Sequence, residues 1–417
     1  MSRKQKIWFF VLLAVVATVI GRLFLNSPIA HVQLAAETVG NNIFGKWDLT
    51  NSLIAAWVAI GIVLILAILA TRKMKLVPTS RLQNLFEAIV GWLADLAESM
   101  AGPKWGRVFL PLVATLFIFI LIANWTALLP IYGTIGKVEP AEEIISHELK
   151  DYVEDLNKDR KDAGLEEIAL VKNKEAHGHH DIAYEKPPAE VLAGFQRDIA
   201  KDRLVIFDGE EGTRLIPIGY KKIKELRVHE YWDFDHWEAR HGEVAVQVGD
   251  NAETVAIEGK TVGRLLPYLR SANTDLMNTL ALALVAMFFI EFWGIKANGF
   301  RGYASRFINF KQGPIGFFVG ILEIIGEVAR IISFSFRLLG NMFAGEILLF
   351  SFLFLLPVMA GIFILPFFME TVVGMIQALV FAALTLVFAS MAVASHEGEH
   401  GDEGHGHGKA EEHAAGH

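Results

Sequence analysis

The chain of 417 residues has no cysteine, which excludes disulfides and thiolate metal sites. Any portion outside the cell must therefore hold together without covalent staples. No phosphate-binding G-x-x-x-x-G-K-[ST] loop occurs, which speaks against P-loop nucleotide chemistry in this chain. Repeated halves are also absent, which speaks against a secondary transporter. Charge is sparse and unevenly placed. The chain is 53% hydrophobic with mean hydropathy +0.39, and its net charge of −8 describes a middle stretch and a tail. The 30 phenylalanines suit lipid-facing and helix–helix surfaces.

What is present reads as a series of membrane spans. Arg3, Lys4 and Lys6 precede an apolar run from Ile7 to Leu25, so residues 1–26 read equally as a signal peptide or a first membrane helix. Residues 27–130 hold two spans, Ser52–Ala70 and Val108–Leu129, with an amphipathic helix over residues 80–100 between them. The basic residues Arg72, Lys73 and Lys75 mark the cytoplasmic side. Residues 269–312 supply a span from Asp275 to Ile295 and a basic cytoplasmic loop. Residues 313–395 then form a helix hairpin. Its first arm, Gly313 to Leu356, is too long to cross about 30 Å of hydrocarbon upright, so a strongly tilted or near-horizontal helix is expected.

Residues 131–268 break the pattern with dense charge and short alternating runs. Asp208-Gly209 and Gly249-Asp250-Asn251 read as hairpin turns, and the stretch as a small extracytoplasmic α+β insert that a short polar linker could replace. His177-Gly178-His179-His180-Asp181 reads as a solvated loop. The tail, residues 396–417, is Gly, Glu and His. Its His396-Glu397-Gly398-Glu399-His400 formally matches a zinc-protease pattern, but Gly398 interrupts the helix that pattern needs, so a disordered tail is expected. The fold class is thus an all-α polytopic membrane protein of five or six spans with one α+β insert.

The chemistry sits in the long hairpin. Arg337 and Glu346 lie inside an apolar tract, where an arginine costs roughly 2.5 to 17 kcal/mol depending on the reference state. At about 100° per residue, Ser333, Arg337, Gly340, Asn341 and Ala344 share one stripe, small residues around a cation. Glu346 points about 180° away from it. In the return helix Glu370 and Gln377 are seven apart and face one side, and an antiparallel hairpin could bring Glu346 and Glu370 to similar depth.

The run Phe336-Arg337-Leu338-Leu339-Gly340-Asn341-Met342-Phe343-Ala344-Gly345-Glu346 resembles a signature of subunit a of the F-type ATP synthase membrane sector. Glu370, Gln377 and the run Ala378–Ala392 resemble its second signature, and Glu323 stands upstream as in that family. The resemblance covers roughly residues 45–130 and 270–395. It implies a non-catalytic, proton-translocating subunit without a cofactor, working against a ring of subunit c helices with two half-channels. Asn124, Asp275, Glu346, Glu370 and Gln377 would line the outer path and Glu323 the inner one. Asn341 would sit beside Arg337. Implied partners are the c ring, the subunit b stalk, the catalytic sector and the lipid bilayer, with no nucleic acid. The implied location is a bacterial inner membrane, with the tail cytoplasmic. Two departures stand out. Ala127 occupies a place where many relatives carry an acid, and Glu346 with Glu370 replaces a histidine–glutamate pair.

Overall fold

A bilayer offers no water to backbone amides, so apolar tracts must close their hydrogen bonds within helices. The computed structural model of the chain follows that rule; it describes residues 36–40, 49–72, 74, 80–129, 131–173, 183–200, 202–208, 213–215, 224–248, 251–307, 313–354 and 364–394. A short strand pair, β1 (Thr38–Gly40) and β2 (Leu49–Thr50), leads into α1 (Asn51–Thr71). Helix α2 (Arg81–Ala127) is two helices in one: Gly102 takes φ 73°, ψ 167° and kinks it. A positive φ suits glycine, and Pro103 then starts the second helix with its φ already set. Gly106 is required just beyond, because a Cβ there would meet the backbone of Ala97 at 2.7 Å. The amphipathic segment and the following span, read as separate elements in the sequence, are parted at Gly102.

The insert begins with β3 (Ile135–Pro140), α3 (Ala141–Asp162), α4 (Ala189–Ile199) and β4 (Arg203–Asp208). It continues through β5 (Thr213–Leu215), β6 (Lys224–Arg227), the single turn α5 (Val228–Tyr231), β7 (Trp232–Asp233) and β8 (Glu238–Ala239). Strands β9 (Glu243–Val248), β10 (Asn251–Ala256) and β11 (Lys260–Pro267) complete it. Five strands form one antiparallel sheet in the order β5-β3-β11-β4-β6. Alternation along β4 divides its faces. Leu204 and Ile206 join Ile144, Ile145, Leu149 and Phe195 of α3 and α4 in one core. Val205 and Phe207 pack with Val138 of β3 on the other face.

One expected turn fails. The strands flanking Asp208-Gly209 do not pair with each other: β4 lies between β11 and β6, and β5 pairs with β3. The turn signal was local, whereas the partners that bury Leu204 to Phe207 come from distant stretches. The β9–β10 hairpin does form, with Val248 opposite Asn251.

Helix α6 (Leu276–Phe307) follows a 3₁₀ turn, Ala272–Thr274, and is kinked at Gly299. Helix α7 (Gly313–Phe354) runs unbroken for 42 residues, about 63 Å at 1.5 Å per residue. Helix α8 (Ile364–Val393) returns. Four described helices are long and apolar enough to cross a membrane: Asn51–Thr71, Arg81–Ala127, Leu276–Ala304 and Pro366–Val393. The expected membrane helix or signal over residues 1–26, the loop histidines 177–180 and the tail 396–417 fall outside the described residues.

By contacts the chain forms two compact units. The first takes its described residues from 1–60, 123–275 and 341–374, and the second from 61–122, 276–340 and 375–417.

Candidate functional site

In the first unit a seam of polar side chains gathers where helices begin and end. Asn51 and Ser52 open α1 fully buried. Buried amides and hydroxyls need partners, and both have them. Asn51 Nδ2 donates to Glu37 Oε2 at 3.1 Å and to the Pro267 carbonyl at 3.3 Å, while its Oδ1 accepts from the Glu37 amide. Ser52 Oγ donates to Asp275 Oδ2 at 2.6 Å. A second relay runs from Asn273 Nδ2 to Asn124 Oδ1 at 2.6 Å, and from Asn124 Nδ2 to the Gly374 carbonyl of α8 at 3.1 Å. Trp125 Nε1 donates to the Thr371 carbonyl one turn away, so the end of α2 is pinned to α8 twice.

The two acids singled out in the sequence meet in this unit. A Cβ built on Gly345 would run into the Glu370 carboxylate, so Glu370 rests on the α7 backbone next to Glu346. Glycine is what permits that approach. Glu370 is buried, and its Oε1 has no hydrogen-bond partner among the described residues. Arg270 Nη2 stands 3.8 Å from Glu346 Oε2, with the arginine side chain only 9% exposed. At that separation the contact is coulombic rather than a hydrogen bond. Arg270 also acts on Glu37, where burial pushes the carboxyl up to about 7 against the pull of Arg270 and Arg264.

The second unit holds the arginines of α7. Arg330 is tied down, with Nη1 2.5 Å from Glu327 Oε1 and the guanidinium 4.9 Å from the centre of the Phe388 ring. Arg337 is exposed, and among the described residues no carboxylate pairs with it; its Nη2 has only a long 3.5 Å contact to Ser333 Oγ. Phe334, Ser335 and Leu338 turn inward, Ser335 sharing a hydrogen bond with Thr279 of α6 and Phe334 packing on Phe381 of α8. The exposed side of the helix thus carries Ile332, Ser333, Phe336, Arg337 and Gly340: one cation on an apolar face. Asn341, one turn beyond Arg337 on the same helix, is also exposed. Gln377 is buried and Glu323 half-buried.

Of the residues chosen from sequence, Asn124, Asp275, Glu346 and Glu370 fall within the first unit's polar seam, and Glu323, Ser333 and Arg337 within the second unit. Arg270, Glu37, Asn51, Ser52 and Asn273 were missed. Arg270 stands five residues before an expected span, a position that reads as an ordinary interfacial charge. Glu37 and Asn51 acquire meaning only through partners far along the chain, such as Pro267. Among the described residues no group of three or more His, Asp or Glu is placed to hold a metal ion.

Comparison with known proteins supplies an independent line. The family model of the ATP synthase A chain matches residues 53–145 and 257–390, more than half of the chain. An ATP synthase subunit a from Desulforamulus reducens is 35% identical over 142 residues, covering 33% of this chain and 52% of that protein. A Campylobacter concisus subunit a is 36% identical over 140 residues, 33% of this chain and 59% of the relative. One from Helicobacter pylori is 35% identical over 137 residues, 32% and 58% respectively. The chain thus spans somewhat over half the length of the curated relatives it matches.

Proposed function

The chain belongs to the ATP synthase A chain family, and from that premise we propose that it is the stationary, proton-translocating subunit of a rotary ATP synthase in a bacterial cell membrane. The observation that carries this reading is Arg337, an exposed cation on an apolar helix face. Such a charge is costly in lipid. It becomes favourable when a partner brings a carboxylate to it, and a rotating ring of subunit c helices, each with one acid at mid-membrane, would do so. Arg337 keeps its proton under all ordinary conditions. It would therefore favour the ionised rotor acid as it passes and block direct proton leakage between two half-channels.

Asn124, Asp275, Glu346, Glu370 and Gln377 line the outer half-channel in this reading, and Glu323 the inner one. Ser333 and Asn341 flank Arg337 on α7 and keep its surroundings polar. Small neighbours such as Gly340 and Ala344 let a rotor helix approach closely. Each elementary charge crossing about 100 mV yields roughly 2.3 kcal/mol, so several must pass for each ATP made. The nucleotide chemistry lies in the partner subunits, reached through the c ring and the subunit b stalk. The insert then faces the extracytoplasmic side and the tail the cytoplasm.

The test is synthesis by the purified complex in lipid vesicles under an imposed proton gradient. ATP production that stops on adding a protonophore is expected. Synthesis that survives collapse of the gradient would overturn the proposal.

A further inference from the structure

The polar seam of the first unit extends beyond the acids assigned to the outer half-channel. Glu37 precedes α1 and is half-buried. Three hydrogen bonds with Asn51 hold it: the Asn51 amide donates to the Glu37 carbonyl at 3.0 Å, the Glu37 amide to Asn51 Oδ1 at 3.3 Å, and Asn51 Nδ2 to Glu37 Oε2 at 3.1 Å. The same Asn51 Nδ2 reaches the Pro267 carbonyl at the end of β11, which fixes this corner to the base of the insert. The charged groups facing Glu37 are Arg270, Arg264 of β11, Glu139 of β3 and Glu346 of α7. Among these, Arg270 has the strongest pull on Glu37 and is also the group 3.8 Å from Glu346. One buried guanidinium therefore stands under the influence of two carboxyls.

We propose that Glu37 is a proton-collecting carboxyl at the mouth of the outer half-channel, and that Arg270 is the positioning residue through which its charge governs Glu346. The inference rests on the proton-translocating reading above. A proton from the outer solution binds the Glu37 carboxylate. Arg270 then faces a single carboxylate, that of Glu346 at 3.8 Å. On transfer the O–H bond at Glu37 breaks, an O–H bond forms at Glu346, and Glu37 returns to its ionised form. Arg270 loses no proton at any stage. The base of the insert, through Arg264, Glu139 and the Pro267 carbonyl, is in this account part of the access path. Burial pushes the Glu37 carboxyl to about 7, which lets it change charge near neutral pH.

The experiment uses the intact complex in lipid vesicles, with the catalytic sector outward and synthesis driven by a potassium diffusion potential. Lumen pH is varied by about one unit on either side of 7, the value held by Glu37. Rates are compared at equal amounts of assembled complex. The expected results are a wild-type rate that changes most steeply near neutral lumen pH, and a Glu37→Gln variant slowed about tenfold with that dependence flattened. Glu37→Asp should keep the dependence but move it to lower pH, since aspartate is the stronger acid. Arg270→Gln should move it upward, because the largest opposing charge on Glu37 is gone; Arg270→Lys serves if that variant does not assemble, and should leave the direction unchanged from wild type. A Glu37→Gln complex with wild-type rate and pH profile would overturn the proposal. Should the wild-type complex itself synthesise no ATP, the reading it rests on would fall instead.

Discussion

Arg330 and Arg337 are seven residues apart on one helix and meet opposite environments. Arg330 has Glu327 and the Phe388 ring, so its charge is neutralised within the fold. Arg337 presents its charge outward. A charge inside an apolar tract is conspicuous in any sequence, which is why Arg337, Glu346 and Glu370 were legible without coordinates. Arg270, Glu37 and Asn51 were not, because their meaning lies in contacts such as Asn51 to Pro267, 216 residues apart. The acids lead to a direct prediction. Replacing Glu346 or Glu370 with Gln should slow proton flux through the assembled complex severalfold, read as quenching of a pH-sensitive dye in vesicles; unchanged flux in both variants would remove them from the path. Gly345→Ala should act similarly without touching an acid, since its methyl group displaces the Glu370 carboxylate. Glu37 also bears on stability. Its value rises from 4.5 to about 7 on folding, so the folded chain binds that proton more tightly. The resulting stability is fully present below about 4.5 and is lost as pH climbs through about 7. A thermal melt in detergent should therefore fall more between these limits for wild type than for Glu37→Gln, and equal falls would count against the buried setting of that carboxyl.

The long elements were legible because apolar tracts of that length have few alternatives to helix. The long α7 and the division of α2 into amphipathic and spanning parts follow the pattern of apolar runs, whereas the kink at Gly102 emerges only in the structure. Sheet pairing was legible only where it is local. The β9–β10 hairpin closes over a short turn, whereas β3 and β11 pair across more than a hundred residues, and no turn signal announces them. That pairing joins the two ends of the insert, and Gly263 makes it possible: a Cβ there would collide with the Glu139 carbonyl across the strands. Gly263→Ala should accordingly destabilise the β3–β11 pair by about 1–3 kcal/mol, the usual range for overpacking. Faster amide hydrogen exchange confined to β3, β11 and their neighbours is the expected signature. Unchanged exchange in those strands would mean the backbone yields without cost.

For the whole molecule, the sequence suggested that residues 131–268 could be replaced by a short linker. The family match runs to 145 and resumes at 257, so β3 and β11 lie within the matched stretches and the unmatched part is narrower. Replacing residues 146–256 with a polar linker should leave proton flux largely intact in an assembled complex. A deletion that also removes β3 and β11 should slow it, because Arg264 and the Pro267 carbonyl go with them. Equal flux in the two deletions would dissociate the insert's base from the access path. The central claim concerns Arg337, the only basic residue between Ile331 and Phe388. Lysine keeps the charge there but loses the planar fork and can deprotonate when buried, whereas alanine removes the barrier entirely. The most direct measurement is potential-driven proton uptake into vesicles holding the membrane sector alone, read beside ATP synthesis by the whole complex. Arg337→Lys should abolish synthesis with little leak, and Arg337→Ala should abolish synthesis while protons pass freely; normal synthesis by the alanine variant would contradict the account.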